Sequence, residues 1–103
     1  MMNAPFNNLT PKEVEILVYL AEECAEVIQI ASKVLRHGMY SYHPDDEAKT
    51  PNKQLLCQEI ADVYHAIDLL IKHNVLPAHM LGAACEKSRT KHMAYFHHLE
   101  DQK

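Results

Sequence analysis

The chain has 103 residues, 48% of them hydrophobic, with two glycines and no tryptophan; this suits one ordinary globular domain, residues 1–103, near the lower end of what folds comfortably alone. Its formal net charge is −4 and its Lys and Arg residues are scattered, which argues against a nucleic-acid backbone as partner. Residues 1–9 lack the basic and apolar regions of a leader, and no apolar run reaches the roughly 18 residues of a membrane span, so the expected address is cytoplasmic, with no membrane partner.

The first helix is predicted to start at Thr10-Pro11-Lys12-Glu13. There Thr10 can cap, Pro11 suits the first helical position and Glu13 can complete a capping box. Leu17, Leu20, Ala21, Cys24, Val27, Ile28, Ala31 and Leu35 recur at three and four, and Arg36, His37 and Gly38 make a favourable end, placed at His37. Residues 39–49 carry no sustained periodicity and read as a polar loop.

Thr50-Pro51 repeats the signal of a cap followed by proline, and Leu55, Leu56, Ile60, Val63, Ala66, Ile67, Leu70 and Ile71 keep helical spacing until Asn74. Pro77 opens a third pattern, in which Leu81, Ala84, Cys85, Ser88, His92, Tyr95, Phe96 and Leu99 share a face. Flexible ends are expected at 1–9 and about 100–103. Cys24, Cys57 and Cys85 are odd in number, widely spaced and flanked by apolar residues; buried free thiols are expected rather than disulfides or a CxxC metal site. The whole is predicted to be an all-α helical bundle completed by oligomerisation, as a homodimer or homotetramer.

Two acidic pairs interrupt the apolar faces. At about 100° per residue, Glu23 falls on the side of Ile16, Val27, Ile30 and Val34, with Glu26 about 60° further round. On the second helix Glu59 lies beside Ala66 and Leu70, and Asp62 lies at the edge of that arc. Each pair rises about 4.5 Å along its helix, and packed helices lie roughly 8–10 Å apart, so both pairs can converge on one point. Four carboxylates sharing a small volume need protons or cations to neutralise them, and an all-oxygen set selects hard cations such as Mg²⁺ or Mn²⁺. One ExxE pair alone usually means solvated or salt-bridged residues; two pairs on core-facing arcs shift the reading towards metal.

The run Glu22-Glu23-Cys24-Ala25-Glu26, followed by Glu59-Ile60-Ala61-Asp62, resembles the EExxE and ExxD signature of the MazG-like all-α pyrophosphohydrolases. Residues 20–38, LAEECAEVIQIASKVLRHG, and 52–70, ending EIADVYHAIDLL, are similar to single-domain phage and bacterial members, over about two fifths of the chain. The resemblance implies a helical bundle of that type and Mg²⁺-dependent cleavage of a nucleoside triphosphate between the α and β phosphates, releasing monophosphate and pyrophosphate. It implies Glu23, Glu26, Glu59 and Asp62 as metal ligands and Glu22 with Glu23 as catalytic carboxylates, Glu22 being the one that could accept a proton from the attacking water.

Cations for the outer phosphates are sought in Lys87 and Lys91, spaced i, i+4, and secondarily in Lys33 and Arg36; Asn52 could hydrogen-bond a base, and Tyr40, Tyr42 or Tyr64 could stack on one. Each of these residue types is common on surfaces. His65, three residues after Asp62, could orient a ligand but reads more simply as a core-edge histidine. His92, His97 and His98 form no zinc pattern. A ferritin-like di-iron bundle would need two ExxH motifs, and the chain has none. Two alternatives remain: phosphoribosyl-ATP as the substrate, or a non-catalytic helical interaction protein whose acids fix register between subunits.

Overall fold

Thr10 caps the first helix, α1 (Pro11–His37), as its sequence predicts. Its hydroxyl accepts from the Glu13 N–H at 3.2 Å, and the Glu13 carboxylate accepts from the Thr10 N–H at 2.9 Å. At the other end Gly38 takes φ +92° and its N–H reaches the Val34 carbonyl at 2.8 Å. That left-handed conformation is open to glycine without the penalty a Cβ carries. The computed structural model describes residues 7–99, so the flexible ends expected at 1–9 and 100–103 lie largely outside the described residues.

The return loop is tied down at both ends. The Asp46 carboxylate accepts from the N–H groups of Ala48 and Thr50 at 3.0 and 2.9 Å. Backbone N–H groups of Asn52 and Lys53 donate to the Ser41 and Met39 carbonyls, each at 2.8 Å. These bonds correct the expected start of the second helix, α2 (Asn52–Lys72). Thr50 is committed to Asp46, Pro51 occupies the cap position without a side-chain bond, and loop carbonyls satisfy the first helical donors. α2 closes where Asn74 takes φ +59° and the N–H groups of Val75 and Leu76 both return to the Leu70 carbonyl.

α1 and α2 form an antiparallel hairpin around Ile16, Ile30, Ala66 and Leu70. The expected α1 stripe is only partly used: Ile28 and Leu35 are 67% and 87% exposed. α1 has two apolar faces, and the one holding Ile16 and Ile30 packs on α2. Cys24, Cys57 and Cys85 are all exposed rather than buried, because the first two lie on the outer sides of the hairpin and the third on an unburied helix.

That helix, α3 (Ala78–His92), buries no residue and passes into a 3-10 turn, Met93–Tyr95. Its principal contact is with that turn rather than with the hairpin. The face predicted to continue to Leu99 is cut short at Phe96, which is extended (φ −101°, ψ 134°). The described residues are all-helical, with no strand, and none of the helices is long and apolar enough to cross a membrane.

Candidate metal centre

The antiparallel pairing of α1 and α2 sets Tyr19 beside His65, and Gly38 beside Asn52. Between these crossings the same register brings Glu23 and Glu26 of α1 against Glu59 and Asp62 of α2. One carboxylate oxygen from each lies within 4.8 Å of all the others. The helices impose this: residues three apart lie on adjacent turns of one face, and two such pairs facing each other make a four-cornered site.

Electrostatically the site is unfinished. Glu23 and Glu59 are half-buried, and the Oε2 atom of each is shut away from solvent with no hydrogen-bond partner. No Lys, Arg or His forms an ion pair with the four carboxylates among the described residues. Burial first, then the charges of Glu26, Asp62 and Glu59, pushes Glu23 up to about 7. Glu59 is raised too, through hydrogen bonding with Glu26, then burial and the charges of Glu26 and Asp62. Both shifts favour the protonated form, so the folded chain alone leaves the cluster short of positive charge.

A hard cation fits this donor set. Oxygens coordinating one Mg²⁺ at about 2.1 Å lie no further than about 4.2 Å apart. The cluster is a few tenths of an ångström wider, a gap that small torsions of the Glu side chains close. Such a cation would also supply the counter-charge that the two orphaned oxygens lack.

One turn beyond the carboxylates, the Tyr19 hydroxyl and His65 Nδ1 are 3.1 Å apart and the rings meet edge to face at 5.6 Å. Burial, then the charges of Asp62 and Glu23, raises the Tyr19 phenol above its usual range. Tyr19 belongs to no motif of its own; its position four residues before Glu23, matching His65 three after Asp62, is the sequence signal that places it here. The bond to His65 crosses between the two helices.

Glu22 stands apart from the four-carboxylate group and is exposed. On the side of the cluster away from Tyr19, a pocket of about 270 Å³ is lined by Lys33, Arg36 and His37 of α1, Tyr42 and His43 of the loop, and Asn52 of α2, among others. Lys33 follows Glu26, and Asn52 precedes Glu59, by seven residues, about 10 Å along each helix. Asn52 is 5% exposed and its amide N–H donates to the Gly38 carbonyl at 3.1 Å, so it shapes the pocket wall as well as lining it. Tyr40 lies under Lys53, with the ammonium 5.5 Å from the ring centre, and Tyr64 is exposed on the outer side of α2.

Lys87 and Lys91 are exposed on α3, and the single chain does not bring them to the carboxylates. Their neighbour Arg89 pairs with Glu86. No family model matches the sequence, and neither the curated proteins nor the solved structures contain a match to the chain.

Proposed function

We propose that this chain is a magnesium-dependent nucleoside triphosphate pyrophosphohydrolase of the MazG-like kind, cleaving the α–β phosphate bond to give nucleoside monophosphate and pyrophosphate. The observation that carries this reading is the convergence of four carboxylates from two helices, two of their oxygens buried without a partner.

Glu23, Glu26, Glu59 and Asp62 hold the cation from fixed positions on a rigid hairpin. Mg²⁺ bound there would supply positive charge to neutralise the triphosphate and to lower the pKa of the attacking water. Lys33 lies about 10 Å along α1 from Glu26, and Arg36 and His37 about 15 Å, within reach of the far end of a nucleotide whose scissile bond lies at the carboxylates. Tyr42 and Asn52, on the same pocket wall, are available to stack on and hydrogen-bond that end.

The attacking water must lose its proton to a base. Glu22 is the carboxylate the motif implies, but it faces solvent, whereas Glu23 stands inside the cluster. Comparison of Glu22→Gln with Glu23→Gln separates the two.

The test is incubation with Mg²⁺ and a panel of ribo- and deoxynucleoside triphosphates, with phosphoribosyl-ATP included, separating pyrophosphate from phosphate. Pyrophosphate and monophosphate that disappear in Glu59→Gln support the reaction and rank its substrates. No turnover on any nucleotide returns the chain to a helical interaction protein.

A further inference from the structure

The hairpin sets out its polar groups in sequence along its length. Tyr19 and His65 stand at one end, the four carboxylates in the middle, and the pocket of Lys33, Tyr42 and Asn52 towards the other. Along the helices Lys33 and Asn52 lie about 10 Å from Glu26 and Glu59, whereas Tyr19 lies about 6 Å from Glu23 and His65 about 4.5 Å from Asp62. A nucleoside triphosphate with its α–β bond at the carboxylates extends both ways from them, the nucleoside to one side and the β and γ phosphates to the other.

The two ends differ in what they can hold. The pocket has an enclosed volume and the surfaces of Tyr42, Pro44 and Leu55, which suit the flat body of a nucleoside. The β and γ phosphates present oxygens that accept hydrogen bonds, so the group that holds them has to donate. At the opposite end Tyr19 is half-buried, with its ring edge to face with that of His65. Burial, then the charges of Asp62 and Glu23, keeps the proton on its phenol. The hydroxyl therefore donates to His65 Nδ1 at 3.1 Å. With Nδ1 accepting, the ring proton stands on Nε2. His65 itself is exposed, which leaves that N–H open to a ligand.

We propose that His65 donates its Nε2–H to the pyrophosphate half of the substrate, and that Tyr19 is the positioning residue that fixes the tautomer and ring plane of His65. The proposal rests on the pyrophosphohydrolase reading and gives the site a direction: nucleoside towards Lys33, pyrophosphate towards His65. Tyr19 does not touch the ligand. Its single hydroxyl proton is spent on Nδ1, so its effect on binding passes through the imidazole.

Calorimetric titration of the Mg²⁺-saturated full chain with inorganic pyrophosphate, and separately with a nucleoside monophosphate, tests this. His65→Ala should weaken pyrophosphate at least about 10-fold, the scale of one hydrogen bond to a charged group. Tyr19→Phe should weaken it by a smaller factor, and the double variant should bind no more weakly than His65→Ala alone. His65→Gln, which keeps a donor near the Nε2 position, should recover part of the loss. Mg²⁺ affinity, monophosphate affinity and melting temperature should stay near the wild type in all of them, which a merely structural role for the pair would not allow. A wild type without affinity for pyrophosphate, an affinity unchanged in His65→Ala, losses that add in the double variant, or an affinity that falls with Lys33→Gln instead would overturn the proposal. Nucleotide turnover is read separately: its absence would remove the reaction, while a pyrophosphate site dependent on His65 would still stand.

Discussion

The two faces of α1 invert the usual rule. The side packed on α2 carries Glu23, with Glu26 at its edge, among its aliphatic residues. The opposite side leaves Ile28 and Leu35 largely in solvent. Neither arrangement is favourable for a lone chain, because partly buried carboxylates repel one another and exposed aliphatic side chains gain nothing from water. The comparison teaches that a helix can be incomplete on both sides, for unlike reasons. One side lacks positive charge, which a cation would supply; the other lacks apolar cover.

The largest effects should come from the acidic face. Glu59→Gln or Glu23→Gln should lower pyrophosphate release, at a Mg²⁺ concentration that saturates the wild type, by at least about 100-fold, since loss of a direct ligand exceeds the 10–100-fold typical of a supporting group. In the metal-free protein the same substitutions should leave the melting temperature unchanged or raise it, because they remove a repelling charge. A variant that lost activity and stability together would break the comparison, by showing the acids to be ordinary structural residues.

The next effect is that of Mg²⁺ and pH. Glu23 titrates near 7 in the folded chain against an ordinary value of 4.5, so the folded form holds the extra proton between these limits. The stability this contributes is fully present below about pH 4.5 and is lost as the pH rises through about 7. Metal-free protein should therefore melt lower at pH 8 than at pH 5.5 as far as this cluster governs it. Mg²⁺ competes with the proton and should raise the melting temperature more at pH 8. At a hundredfold excess over its dissociation constant it should stabilise the fold by about 2.7 kcal/mol. Thermal melts at both pH values, with and without Mg²⁺, would show the crossing.

Smaller effects belong to the hairpin that holds both faces in place. Asn52→Ala removes a buried amide that ties the loop to Gly38 and should cost about 1–3 kcal/mol in denaturant unfolding. Thr10→Ala opens the capping box of α1 and should cost about 1 kcal/mol. Neither touches the carboxylates, so the Mg²⁺-dependent shift in melting temperature should survive in both.

Local signals made the hairpin legible in the sequence. Thr10, Pro11 and Glu13 marked one end of α1 and Gly38 the other, because capping and left-handed turns depend on residues close in the chain. The convergence of Glu23, Glu26, Glu59 and Asp62 was also legible, since helical spacing fixes which face each occupies once two helices pair. The start of α2 was misplaced by one residue, because Asp46 captures Thr50 across the loop and no periodicity reports such a bond. The thiols and much of the α1 stripe were expected inside but lie outside: pattern shows that a face is apolar, not which of two apolar faces the chain itself will cover. Lys87 and Lys91 could be placed along α3, whereas the position of α3 relative to the carboxylates depends on packing that its weakly amphipathic sequence does not specify.

The account rests most directly on the acidic cluster being a cation site, and calorimetric titration of the metal-free protein with Mg²⁺ at pH 8 addresses that alone. The prediction is saturable binding to the wild type, weakened at pH 5.5 and abolished in Glu59→Gln. Absence of binding in the wild type, or equal binding in Glu59→Gln, would contradict it.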